Sequence, residues 1–170
     1  MAESNPTLGE SGDASAFFFG YMGIASGLVF ANLGAAYGTA KSGVGIASLG
    51  VIDASKVYKS LIPIIMAGIL GIYGIIVSVL LVSKVKAMDD KSLTPGDALL
   101  RSKAGHQYLA AGLACGLSSL ASGLAIGVAG DAGVRAYAQT DNIFVGMILI
   151  LIFAECIGLY GMIVAIIMMQ

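Results

Sequence analysis

The chain has 170 residues, of which 58% are hydrophobic and only 11% charged, with a formal net charge of −1. A soluble domain carries about 25% charged residues, so this composition excludes an ordinary water-soluble fold and points to membrane spans. The near-neutral balance offers no basic face to nucleic acid.

In chain order, residues 1–14 form a polar, acidic amino-terminal tail. The tail lacks the basic region of a cleavable signal peptide, so it is expected to stay on the mature chain. A first apolar span is predicted over 15–40 and a second over 58–82. A charged linker follows at 83–106 and contains Pro95, which marks a boundary between two halves. A third span is predicted over 107–129 and a fourth over 143–169. Each is long enough to cross a bilayer as a helix, which takes roughly 20 residues, and none alternates as a barrel strand does. The expected fold class is an all-α membrane protein with four transmembrane helices.

The two halves repeat. GIYGIIVSV at 71–79 matches GLYGMIVAI at 158–166 at an offset of 87, and YGTAKSGVGIA at 37–47 loosely matches IGVAGDAGVRA at 126–136 at an offset of 89. Residues 15–82 and 107–170 therefore read as one helical hairpin written twice, in parallel orientation.

Small residues run down one face of the first span at Gly23, Gly27, Ala31, Gly34 and Gly38. A second such face in the third span holds Gly112, Gly116, Ser119, Gly123, Gly127 and, at its end, Gly130. The steps of three and four follow 3.6 residues per turn, and smooth faces let helix backbones approach closely in lipid. Two arrangements use such faces: a compact four-helix bundle, or a crowded inner ring of many copies.

Glu155 is the feature that composition does not explain. It stands in LIFAECIGLYG, 14 residues after Asp141 and 15 before Gln170, near mid-membrane. An acid at such depth costs roughly 2.5–3.5 kcal/mol on insertion scales. Interhelical polar contacts return only about 0.6 kcal/mol on average, too little to justify the placement. No Lys or Arg lies within the core of any span to pair with it. Its counterpart at an offset of 87 is Gly68, so the repeated fold does not itself need an acid there. The remaining use is transport. Desolvation favours the neutral carboxyl, which can face lipid, whereas the charged form must meet water or a cation.

A proton fits better than sodium. LIPIIMAGIL at 61–70 offers no Gln, Asn, Ser or Thr, and Phe153, Ala154, Cys156 and Gly158 surround the acid in sequence, with Tyr160 the nearest hydroxyl. Gly68, Phe153 and Tyr160 are thus the expected surroundings of the site. Cys115 and Cys156 lie in apolar runs without C-x-x-C spacing and read as buried hydrophobes, not metal ligands. His106 reads as an interfacial residue. No metal or cofactor is expected, and no phosphate-binding loop appears.

GAAYGTAKSGVGI at 34–46, GDAGVR at 130–135 and FVGMILILIFAECIGLYGMIVA at 144–165 resemble the 16 kDa proteolipid family of eukaryotic V-type proton ATPases, over roughly residues 16–168. The resemblance implies a ring of proteolipid copies, with spans one and three inside and two and four outside. Gly23, Gly27, Gly34, Gly38, Gly112, Gly116, Gly123 and Gly127 would then pack the inner ring. It implies that Glu155 is protonated and deprotonated as the ring passes the stator, whose large a-subunit has an essential arginine. Its other partners would be membrane-sector and central-stalk subunits and membrane lipid, with ATP bound elsewhere. The implied setting is a vacuolar or other acidified endomembrane, with both termini luminal. Charge does not supply that orientation: Lys84, Lys86, Lys91, Arg101 and Lys103 lie on one side, against Lys41, Lys56, Lys59 and Arg135 on the other. The alternative is a glycine-packed structural or pore-forming bundle that pumps nothing.

Overall fold

The computed structural model describes residues 6–89 and 97–170, and the side chains of 14–88 and 99–170. Four helices account for nearly all of it: α1 (Pro6–Ile52), α2 (Ile62–Asp89), α3 (Asp97–Gln139) and α4 (Ile143–Met168). All four contain windows long and apolar enough to span a membrane.

The helices overrun the predicted spans. α1 has 47 residues and α3 has 43, against the 20 or so that a bilayer needs. Hydropathy marks where the apolar stretch ends, not where the helix ends. Past residue 40, α1 contains no proline and keeps one buried stripe through Ser42, Ile46 and Leu49. Its charge is matched: Lys41 Nζ lies 3.2 Å from Asp131 of α3, which also accepts from Arg135 Nε at 2.7 Å. The linker at 83–106 is mostly helix, because α2 continues to Asp89 and α3 begins at Asp97. Residues 90–96, with Pro95, lie outside the described residues, as do 1–5. The rest of the amino-terminal tail joins α1 at Pro6.

Both hairpin turns lie at one end of the molecule. Asp53 ends α1 by accepting from Ser55 N at 3.0 Å and from Ser55 Oγ at 2.6 Å. Lys56 then bridges the two turns. Its Nζ reaches Asp141 at 2.7 Å, Asp53 at 3.7 Å and the Tyr137 carbonyl at 3.5 Å, and sits 5.2 Å from the Tyr137 ring centroid. A cavity of about 380 Å³ opens beside it, lined by Ser55, Lys59 and Phe144 among others. The bond to Asp141 raises the Lys56 ammonium above its usual 10.5, and the bonds from Ser55 hold Asp53 below its usual 3.8.

Those shifts fix the sign of the pH dependence. The Lys56 contribution is complete below about 10.5 and is lost as pH rises through the higher folded value. The Asp53 contribution is present above about 3.8 and is lost as pH falls through the lower folded value. Lys56→Met should therefore speed amide exchange in residues 53–61 and 140–143 at neutral pH while leaving the spans unchanged. Mass-spectrometric exchange checks this. No change in either turn would show that the bridge is idle.

The packing is duplicated as closely as the sequence. A Cβ placed on Gly74 of α2 would meet Ala31 Cβ at 2.5 Å and the Gly27 carbonyl at 3.0 Å. One placed on Gly161 of α4 would meet Ser118 Cβ at 2.5 Å and the Ala114 carbonyl at 2.7 Å. Gly74, Ala31 and Gly27 become Gly161, Ser118 and Ala114 when 87 is added. Gly71 against Ala35 likewise becomes Gly158 against Ser122. The helices α1 and α3 also end 87 residues apart, at Ile52 and Gln139. The offset of 87 thus governs all four helices. The offset of 89 at 37–47 matches the recurrence of glycines and not the facing of the helices, because two residues turn a helix by about 200°.

Candidate functional site

Glu155 lies on α4, twelve residues after Ile143 and thirteen before Met168. The apolar run around it contains no proline, so the helix passes straight through the acid. Leu151, Ala154, Gly158 and Gly161 form the buried stripe of α4, and Glu155 stands beside that stripe, half-buried.

Its partner comes from the other hairpin. The hydroxyl of Tyr73, on α2, donates to Glu155 Oε1 at 3.2 Å. Two further bonds fix the frame of this pair. Ser122 Oγ, fully buried on α3, donates to the carbonyl of Ala154 at 2.7 Å. Cys115 Sγ, seven residues earlier on the same face of α3, approaches the Tyr73 carbonyl at 3.7 Å. α3 thereby holds both helices that carry the pair. Gly158 and Gly161 make room for this, since a Cβ at either would collide with Leu70, Ser118 or the Ala114 carbonyl.

Among the described residues, the ion pairs run from Lys41, Lys56 and Arg135 to Asp131, Asp53 and Asp141, and none includes Glu155. The carboxyl has a neutral hydroxyl beside it and a partly open face. Such a group can be neutral against lipid, or charged when water or an external cation reaches it.

The expected surroundings are placed differently. Phe153 is 72% exposed and Tyr160 62% exposed, and both point away from the chain. Gly68 is exposed too, with open space where a Cβ would stand. None of them takes the place of Tyr73, which lies just beyond the oxygen-poor stretch 61–70. The repeat carries a signal for it: Tyr73 and Tyr160 occupy matching places, and only the first is on the side facing a carboxyl. Cys115 is buried as expected, whereas Cys156 is half-buried. His106 is exposed and stacks on Phe19 at 4.4 Å between ring centroids.

The eight glycines of the smooth faces meet one another within the chain. A Cβ on Gly34 would stand 2.5 Å from the Ser119 carbonyl and 2.7 Å from Leu120 Cα. One on Gly112 would overlap the backbone of Gly23, and one on Gly123 the backbone of Gly34. One on Gly116 would stand 3.3 Å from Gly27 Cα, and one on Gly127 3.2 Å from Gly38 Cα. These contacts make α1 and α3 the most closely packed pair.

The family model for the C subunit of ATP synthase matches the chain twice, at residues 22–81 and 109–168. The two stretches begin and end 87 residues apart, in agreement with the packing. Among curated relatives, a V-type proton ATPase 16 kDa proteolipid of Caenorhabditis elegans (its form c 2) is 57% identical over 155 residues, 91% of each chain. The V-type proton ATPase 16 kDa proteolipid subunit of Chrysotila carterae is 57% identical over 151 residues, 89% of each chain. The 16 kDa proteolipid of Rattus norvegicus is 56% identical over 151 residues, 89% of this chain and 90% of its own.

Proposed function

This chain belongs to the family of the ATP synthase C subunit, among the V-type proton ATPase 16 kDa proteolipids, and from that premise we propose how it carries a proton. It is a multi-pass membrane protein and a proton-translocating ring subunit of the membrane sector, not the subunit that hydrolyses ATP. Glu155 is the carrier. The observation that supports this is the contact between Tyr73 and Glu155, a mid-span acid with a neutral hydroxyl beside it. The hydroxyl steadies the carboxyl as the ring turns. The neutral acid passes lipid, and the charged one is met by the arginine of the stator a-subunit. Helices α1 and α3 line the inside of the ring and α2 and α4 the outside, where Glu155 must be to meet a stator. The membrane is that of a vacuole or another acidified compartment, with the termini luminal.

Dicyclohexylcarbodiimide, which attacks protonated carboxyls in apolar surroundings, tests the carrier. It should label Glu155 in preference to every other acid of this chain in the assembled complex. Tyr73→Phe removes one hydrogen bond worth about 0.5–1.5 kcal/mol, so ATP-driven transport should fall by roughly threefold to tenfold with assembly unchanged. Labelling spread over loop acids, with Glu155 unmodified, would overturn the assignment.

A further inference from the structure

The cavity at the turn end takes no part in the proton site or in the packing of the spans. Lys56 and Lys59 of the first turn face Tyr137, Asp141 and Phe144 of the second hairpin across it. At an offset of 87 the two lysines become Ile143 and Gly146, while Tyr137 and Asp141 become Gly50 and Ala54. One half carries this chemistry and the other is built without it, as with Glu155 and Gly68.

Pro63 accounts for the opening. It lacks an amide hydrogen, and its ring excludes an α-helical turn before it. The first turn therefore runs as two 3₁₀ segments, Ala54–Lys56 and Lys59–Leu61, and α2 begins only at Ile62. In the second hairpin Ile150 stands in place of Pro63, and α4 begins at Ile143, well before Leu149, the counterpart of Ile62. The two turns thus differ in shape, and about 380 Å³ is left open between them.

Charge selects the occupant. The lining holds two ammonium groups against one carboxylate. Asp141 is committed to Lys56 at 2.7 Å. Lys59 is exposed and has no ion pair or hydrogen bond among the described residues, so its charge is left over. α4 begins between the lining residues Asp141 and Phe144, and its N-cap Asn142 makes no side-chain bond to the first amides. The positive end of that helix therefore adds to the field of Lys59. Val51, Ile52 and Tyr58 beside the first turn are all exposed, which suits a level where apolar surface meets water.

We propose that this cavity binds a phosphate group, with Lys59 as its counter-charge and the start of α4 beside it. An anionic phospholipid headgroup and a free phosphate ion offer the same chemistry there. The bridge from Lys56 to Asp141 holds the two turns together, and Lys59 is the residue that the bridge leaves over for a ligand.

Hydrogen exchange in the assembled complex, purified in a sugar detergent and phosphate-free buffer, tests the site. Dioleoylphosphatidylglycerol or inorganic phosphate, added separately, should slow exchange in residues 53–61 and 140–144. Slowing by the lipid alone makes this a headgroup site, and slowing by inorganic phosphate makes it a site for the free ion as well; either result supports the proposal. Lys59→Met should raise the concentration needed for half-maximal slowing by roughly tenfold, the loss of one charge-assisted bond, and Lys59→Arg should restore it. Lys59 is exposed and has no polar partner, so exchange in the spans and proton transport should be unchanged in both variants. Lys103→Met removes an exposed cation near the start of α3, at the other end of the molecule, and should leave the response intact. No slowing by either probe overturns the proposal, and so does slowing that Lys59→Met fails to weaken or that Lys103→Met weakens equally.

Discussion

Glu155→Gln should abolish ATP-driven proton transport while the complex remains assembled. An amide has nearly the shape of a protonated carboxyl and can still accept from the Tyr73 hydroxyl, which lies 3.2 Å from Oε1. Packing around the residue is made by Leu151, Ala154, Gly158 and Gly161 and is left alone. The amide has no proton to release at any accessible pH and no charge to offer a passing arginine. Transport should fall to background in acidification assays of membrane vesicles, carbodiimide labelling at this position should disappear, and protein levels should hold. Glu155→Asp keeps the charge but draws the carboxyl back by one methylene, away from Tyr73, and should retain partial transport. The two variants separate charge from reach. They also separate the carrier from the structural alternative, since a bundle that uses the acid only for packing would tolerate the amide. Normal pumping by a complex in which every copy carries Glu155→Gln would end the proton-carrier reading.

What the sequence makes legible is whatever depends on one helix at a time. Depth along α4, the absence of a cation in the spans and the empty counterpart at Gly68 are properties of position and composition, and they single out Glu155. Properties that depend on how two helices face each other are less accessible. Tyr73 is 82 residues from Glu155 and meets it only because α2 and α4 lie side by side. Ser122 supports the site through a backbone carbonyl, which leaves no mark in the sequence of α4. The helix ends escape for another reason. Hydropathy falls near residue 40, yet Lys41 and Arg135 are balanced by Asp131, so the chain has no cause to leave the helix there. The register of the repeat shows the same limit. Glycines recur every three or four residues, so offsets of 87 and 89 both align some of them in α1 and α3, and it is the helix contacts, those of Gly74 and Gly161 among them, that extend 87 to these helices.

The smooth faces are legible as a pattern but not as an energetic ranking, and that ranking is the second large prediction. Gly123→Ala should cost much of the assembled complex, whereas Gly27→Ala should cost almost nothing, although the two glycines belong to facing stripes. A Cβ on Gly123 would overlap the carbonyl and Cα of Gly34, and backbone in the middle of a helix cannot step aside. The helices must then separate, at a cost of about 1–3 kcal/mol for an overpacked site. That separation would spread to the bonds by which α3 holds Tyr73 and Ala154, so transport should fall along with stability. At Gly27 the nearest atoms, Gly112 Cα and O and Ser78 Oγ, all lie 3.4 Å from the new methyl, an ordinary contact. Alanine there also gains up to about 1 kcal/mol of helix propensity over glycine. Gly127→Ala falls between them, because the Tyr37 ring at 3.1 Å can rotate away, whereas the Gly38 Cα at 3.2 Å is backbone that must give slightly. Thermal unfolding and yield of the purified complex should therefore order the variants as Gly27, Gly127, then Gly123. The reverse order would mean that the close approach of α1 and α3 is not what holds the chain together.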